Sequence, residues 1–326
     1  MKSAGKVGFA LLALVVGLAS GCAKRHSQKE VFYLIGTSMG LPYWQNIASG
    51  FNQAAAEYKV TAKVDGPQGR DPKAELAALE KAIAAKPAGI LISVSDEALL
   101  KPGIDEAVAA GIPVITVDSD AASSKRLYFI GTNNMGAGRM GAKRLVEKLK
   151  GKGNVVFFTL AGQPNVEERL KGFKAYLEAY PNIKIVDAIN IQSNATLAFD
   201  QTEEILALTG PKRIDAFVSL ESASGVEVAS ALDRSHVTDR IAMAWDNNPD
   251  TLNGIKNGTI DATVAQKPFT MGFVGLKALD EVFHNPPLHL DKNFTADAFS
   301  PYPEFVDTGT ALVDKSNVSM YFPQGK

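Results

Sequence analysis

The chain has 326 residues, 46% of them apolar, and a formal charge of −1 from 34 basic and 35 acidic residues. That length exceeds one ordinary hydrophobic core and fits two domains. Near-neutral charge argues against the strongly basic face of a nucleic-acid-binding surface, and a single cysteine excludes an intrachain disulfide.

Lys2 and Lys6 precede an apolar run over 7–18, followed by small residues up to Cys22. This is the pattern of a secretory signal peptide (1–22), with an apolar core too short to span a bilayer comfortably. Cys22 stands at the expected cleavage point and resembles the lipid-modified cysteine of bacterial lipoproteins, although Ala19 occupies the place where a large apolar residue is usual. Residues 23–30 are then a polar tether outside the fold.

From residue 31 onward, short apolar runs alternate with stretches of helical periodicity. Predicted strands are 31–35, 60–64, 89–93, 113–117, 127–130, 155–159, 183–189, 216–219, 241–245 and 262–265. Predicted helices lie between and after them, from 44–58 to 269–283. Such alternation specifies an α/β fold with right-handed crossovers and parallel sheets covered on both faces. Ten strands in one sheet would be unusual, so two sheets of about five are expected, divided near Gly131-Thr132-Asn133. No Pro/Ser-rich linker separates the halves, which suggests that the chain crosses between them through extended segments.

The stretch 241–266 is a complete unit of this kind. An apolar strand ends in Asp246, Asn248 is placed to cap a helix with Pro249 at its first position, and Asn257-Gly258 signals the helix end. A second strand then delivers Gln266. Beyond 283 the pattern breaks into His284-Asn285-Pro286-Pro287 and a loop to Pro303, with short apolar runs at 304–306 and 310–313.

Gly136-Ala137-Gly138-Arg139-Met140-Gly141 fits the dinucleotide fingerprint by letter but fails its context. Four residues separate it from the preceding strand, and the next strand ends without an acidic residue for a ribose. Small residues that let a helix pack closely on its sheet are the better reading. There is no GxSxG motif, and Cys22 is terminal. His26 lies in the tether, His236 ends a helix, and His284 and His289 lie in the proline loop without a carboxylate or cysteine at ligand spacing. The sequence therefore predicts no catalytic residue, no metal and no cofactor.

What recurs is a polar or aromatic residue just past a strand's carboxyl end, where open parallel sheets hold ligands. Tyr43 and Trp44 follow the first strand, Asp118 the fourth, Asn165 to Arg169 the sixth and Glu221 the eighth, while Asp246 and Gln266 complete the set. Each alone has a local explanation. Tyr43 and Trp44 could pack on the core, Asp118 and Asp246 could make turns, and Asn165 with Glu168 reads as a capping pair that leaves Arg169 a surface charge. Glu221 could merely favour a helix amino end. Their repetition at equivalent topological positions is what makes them a candidate ligand site.

Leu41-Pro42-Tyr43-Trp44, the run 112–118 ending in Asp118, Glu168-Arg169-Leu170-Lys171-Gly172-Phe173, the run 244–250 and the run 262–266 together resemble the ribose-binding branch of the bacterial periplasmic sugar-binding proteins. The likeness spans about 31–313. It implies a type I periplasmic binding protein fold: two Rossmann-like lobes joined by three hinge crossings. The lobes would be 31–131 plus 267–306 and 132–266 plus 307–326. Tyr43 and Trp44 would stack on a sugar ring, and Asp118, Arg169, Asp246 and Gln266 would bind its hydroxyls. Leu41, Ser119 and Glu221 depart from the ribose pattern, and with Glu221 in the set the pocket would be acidic, suited to a sugar, a polyol or a ligand bearing an amine.

The resemblance implies a monomeric periplasmic receptor, not an enzyme, that serves the membrane permease of an ABC importer. A sugar receptor feeding a chemotaxis or sensor-kinase partner is the alternative. A sugar-sensing repressor core would need a basic helix-turn-helix before Val31, where the signal peptide lies instead.

Overall fold

A computed structural model describes residues 26–322; Cys22 and the signal run lie outside them. The chain begins β1 (Val31–Ile35), α1 (Pro42–Tyr58), β2 (Thr61–Asp65), α2 (Pro72–Ala84), β3 (Gly89–Ile92), α3 (Glu97–Ala109), β4 (Val114–Val117) and β5 (Phe129–Gly131). It continues with α4 (Asn134–Leu149), β6 (Gly153–Thr159), α5 (Pro164–Leu177), β7 (Ile183–Asn190), α6 (Ala195–Leu206), β8 (Ala216–Ser219), α7 (Ser224–Arg234), β9 (Ile241–Trp245), α8 (Pro249–Asn257) and β10 (Ala262–Ala265). Then come α9 (Pro268–His284), β11 (Phe305–Asp307) and β12 (Ala311–Asp314).

The strands form two six-stranded sheets, in the orders β11-β5-β4-β3-β1-β2 and β12-β10-β9-β8-β6-β7. All neighbours are parallel except β10 and β12. The chain passes from the first sheet to the second after β5, returns after β10 with α9, and crosses again between β11 and β12. The expected α/β class holds, and the sheets have six strands rather than five because the short runs at 304–306 and 310–313 each add an edge. Strands β3, β4 and β8 are buried along their whole length, as expected for parallel strands covered by helices on both faces.

Two helix pairs carry Tyr43, Trp44 and Arg169, and glycines set both. A Cβ on Gly50 would fall 2.0 Å from the Phe269 carbonyl oxygen, and one on Gly272 would fall 1.9 Å from that of Ile47. Helices α1 and α9 thus meet backbone to backbone. The pair α4 and α5 repeats the device: a Cβ on Gly138 would fall 2.2 Å from the Arg169 carbonyl oxygen, and one on Gly172 would fall 2.3 Å from that of Met135. Gly138 and Gly141 of the fingerprint-like run do serve close packing, but their partner is helix α5, not the sheet.

Two further expectations are corrected. Helix α9 runs on through His284, with Asn285 as its C-cap; Pro286 forces the end there, so His284 belongs to the last helical turn and not to the proline loop. Residues 26–30, expected to be tether, lie against the fold: the Thr61 hydroxyl donates to the Gln28 carbonyl at 2.7 Å, and His26 stacks on Tyr58 with centroids 4.8 Å apart. The Tyr58 ring and the Thr61 hydroxyl donor give this polar segment surfaces to satisfy.

Candidate functional site

The carboxyl ends of β4 and β9 each place one aspartate in the same unusual state. Asp118 has φ +64° and Asp246 has φ +66°, left-handed values that aspartate tolerates better than most side chains. Both are only 4% exposed. Each backbone N–H is held by the neighbouring strand, Asp118 by the Ile130 carbonyl at 3.1 Å and Asp246 by that of Val264 at 2.9 Å. The local turns that could have explained these residues away are what aim the two carboxylates into one cavity.

That cavity, of about 150 Å³, lies between the two sheets' helices and is lined by Tyr43, Trp44, Asp118, Arg169, Glu221, Asp246 and Gln266. All seven site residues read from the sequence therefore share one space. Pro42 at the first turn of α1 positions Tyr43 and Trp44, both buried and edge-to-face at 6.0 Å. The Tyr43 hydroxyl donates to Asp118 Oδ1 at 2.7 Å.

Arg169, on α5, is 3% exposed and held from three sides. Its Nε donates to Asn134 Oδ1 at 3.0 Å, Nη1 to the Leu220 carbonyl at 2.8 Å and Nη2 to Gln266 Oε1 at 3.2 Å. Its guanidinium carbon also stands 4.5 Å from the centre of the Trp245 ring, a cation–π arrangement. Two of five guanidinium N–H groups remain for a ligand. Gln266 is shared: its amide oxygen also accepts from Thr132 Oγ1 at 2.7 Å, and its Nε2 donates to Asp246 Oδ1 at 2.7 Å. Gln266 and Thr132 stand next to two of the crossings between the sheets, so this bond ties the two crossings together at the cavity wall.

Glu221 is the exception. Its carboxylate accepts from the backbone N–H of Ala223 at 2.8 Å and of Ser224 at 2.7 Å, and from the Ser224 hydroxyl. It borders the cavity, yet its bonds serve the amino end of α7.

Asn165 does not cap α5 with Glu168. The N-cap residue is Gln163, and Asn165 Nδ2 instead donates across to Asp118 Oδ2 at 3.2 Å, bridging the two halves. Asn248 is the N-cap of α8 but makes no capping bond, and its Nδ2 donates to the Ser222 carbonyl at 3.0 Å. The sequence reading did not single out Gln68, Gly69 and Arg70, which also line the cavity. They follow β2, so the rule that found the other residues would have found these.

Burial dominates the electrostatics. Asp246 is pushed up to about 7, because desolvation and the neighbouring Asp118 and Glu221 charges outweigh Arg169 and the Gln266 hydrogen bond. Desolvation also raises Asp118, against Arg169 and its Tyr43 bond, and raises Tyr43 well above its ordinary range. Two carboxyls poised to accept, an amide that donates and accepts, a guanidinium and two aromatic faces match a small, neutral, hydroxyl-rich ligand.

Two sheets with pooled strand ends and three crossings define a two-part α/β fold with a cavity lined from both parts. Residues 32–285 match the periplasmic binding protein domain, and the chain belongs to that family. Among solved structures it is similar to the sugar-binding protein of a sugar ABC transporter from Bacillus halodurans: 32% identity, TM-score 0.80, covering 90% of this chain and 100% of that one. It is also similar to AraP, an arabinose binding protein from Geobacillus stearothermophilus, with 31% identity, TM-score 0.74 and 90% and 99% coverage. The ribose import binding protein RbsB of Bacillus subtilis (strain 168) is 25% identical over 262 residues, 77% of this chain and 82% of that protein.

Proposed function

We propose that this protein captures a sugar or sugar-like polyol between its lobes, outside the cytoplasm, and delivers it to the membrane permease of an ABC importer. The proposed lobes are 31–131 plus 267–306 and 132–266 plus 307–326, of which 323–326 lie outside the described residues. The observation that carries the reading is the pair Asp118 and Asp246, one from each sheet, buried in matching backbone states and facing one 150 Å³ cavity. Tyr43 and Trp44 cover the apolar face of the ring, while Asp118, Arg169, Asp246 and Gln266 bond its hydroxyls. Relatives named for sugar import and arabinose binding support this reading.

Hydrogen bonds to charged groups contribute about 1.5–3 kcal/mol each, so several in a dry cleft support micromolar affinity, about 8 kcal/mol, after ordering costs. Closure about the crossings would signal that cargo is present, as in hinge-bending periplasmic binding proteins generally.

A thermal-shift screen of pentoses, hexoses, polyols and amino sugars tests the function. A true ligand at 100 times its dissociation constant stabilises by about 2.7 kcal/mol; no stabilisation by any member of the panel would contradict the reading. Signal-peptide export and lipidation of Cys22 belong to the proposal. The mass of the mature amino terminus tests them, and an unmodified Cys22 would contradict the anchor.

A further inference from the structure

Away from the cleft, the segment before β1 and the last turn of α9 build a compact group of metal-binding side chains. His26 Nε2 lies 3.0 Å from Asp280 Oδ2, and the ligand atoms of His26, Asp280 and His284 all lie within 4.8 Å of one another. Asp280 and His284 are four residues apart on one helix, so their side chains share a face. Glu30 joins them, its Oε2 3.5 Å from His284 Nε2.

Hydrogen bonding inside the group is incomplete in a way that points to a cation. Asp280 is 6% exposed, and its Oδ1 has no hydrogen-bond partner among the described residues, although it faces His284 Nδ1 at 3.4 Å. Glu30 Oε2 is likewise buried without a partner. Buried carboxylate oxygens without donors are costly, and a divalent ion would give both of them a positive partner. The His284 imidazole is oriented as a metal ligand usually is. His284 Nδ1 lies 2.9 Å from the Asp280 backbone carbonyl, and donation there leaves the Nε2 lone pair for a metal. His26 is fixed by its stack on Tyr58 and by an edge-to-face contact with His284 at 4.9 Å.

We propose that His26, Asp280 and His284, with Glu30 beside them, bind a divalent transition ion of the zinc type. Two nitrogens and one or two carboxylate oxygens suit zinc. Tetrahedral coordination at about 2.0–2.2 Å would set ligand atoms about 3.3 Å apart, a small contraction of the observed cluster. The ion would clamp the polypeptide that leads from the amino terminus onto the last turn of α9, so it would fix how the first lobe hangs from whatever precedes residue 26.

The test is calorimetric titration of the EDTA-treated, dialysed full chain with zinc chloride, any free Cys22 thiol having been alkylated. The proposal expects one equivalent bound at micromolar affinity or better. His26→Ala and His284→Ala should each weaken binding at least tenfold, while His236→Ala and His289→Ala leave it unchanged. Asp280→Asn should also weaken binding tenfold, with sugar-induced thermal shift confirming its fold; should that variant not fold, His26→Ala, outside the packed core, still decides. A second readout is tryptic cleavage after Lys24, Arg25 and Lys29, which zinc should slow at least fivefold in the wild type and not in His284→Ala. Absence of zinc binding at 1 mM, or a His26→Ala/His284→Ala double variant that binds like the wild type, would overturn the proposal.

Discussion

Asp246 links the acidity of the cleft to the strength of capture. Its carboxyl is pushed up to about 7 by burial and by the charges of Asp118 and Glu221. A sugar hydroxyl that donates to this carboxyl favours the ionised form, so binding must first remove the proton wherever the pH lies below about 7. The apparent dissociation constant then rises by one plus ten to the power of seven minus pH: about 1.1-fold at pH 8, about 11-fold at pH 6 and about 100-fold at pH 5. Calorimetry in two buffers of different ionisation enthalpy should detect about 0.9 proton released per sugar bound at pH 6. Asp246→Asn should bind weakly with a much shallower pH dependence. Affinity that stays flat from pH 5 to 8, or an Asp246→Asn variant with the wild-type slope, would refute the reasoning. The unliganded protein should respond in the opposite sense. The folded carboxyl keeps its proton up to about 7 while an unfolded aspartate loses it near 3.9, so stability falls as pH rises through that window, by at most about 1.4 kcal/mol per pH unit.

Gly138→Ala puts a methyl 2.2 Å from the Arg169 carbonyl oxygen; it should cost about 1–3 kcal/mol of stability and weaken sugar binding at least tenfold by shifting Arg169, and wild-type affinity would break the link from helix packing to the site. Trp44, only 3% exposed, is part of the core as well as of the cavity wall. Trp44→Ala should therefore lower stability by about 3–5 kcal/mol in a denaturant titration, whereas Trp44→Phe should retain the fold and lose affinity; a fully stable Trp44→Ala would contradict that burial. Glu221→Gln should lower the melting temperature by about 2–4 °C, the equivalent of about 1 kcal/mol of lost capping in a chain of this size, and leave the order of preferred sugars unchanged. A reordered panel would make Glu221 a residue that reads the ligand.

The sheets and helices were legible because period-2 and period-3.6 patterns and Gly/Pro punctuation depend only on neighbours in sequence. That the candidate residues would gather around one cavity was legible for a related reason: a parallel sheet converts one local signal, a polar residue after an apolar run, into one place in space. What depended on a single-residue offset was not. Asn165 looked like a cap because Glu168 follows it by three, but the helix starts at Pro164, so Asn165 is already inside it and its amide is free to reach Asp118. The same offset moved His284 into α9 and brought it one turn from Asp280. The contact of His26 with Asp280 spans 254 positions, and no local pattern reports it. Arg70 and Gln68 were missed although the signal was present, because the loop after β2 reads as a turn between two elements.

The central claim is that Asp118 and Asp246, with Arg169 and Gln266, hold one sugar between the lobes. A crystal structure with the best ligand from the sugar panel tests it most directly. The account predicts a single sugar in the 150 Å³ cavity, its hydroxyls within hydrogen-bond distance of both aspartates and Arg169, and its ring against Tyr43 or Trp44. A ligand bound elsewhere, or one in the cavity that touches neither aspartate, would contradict it.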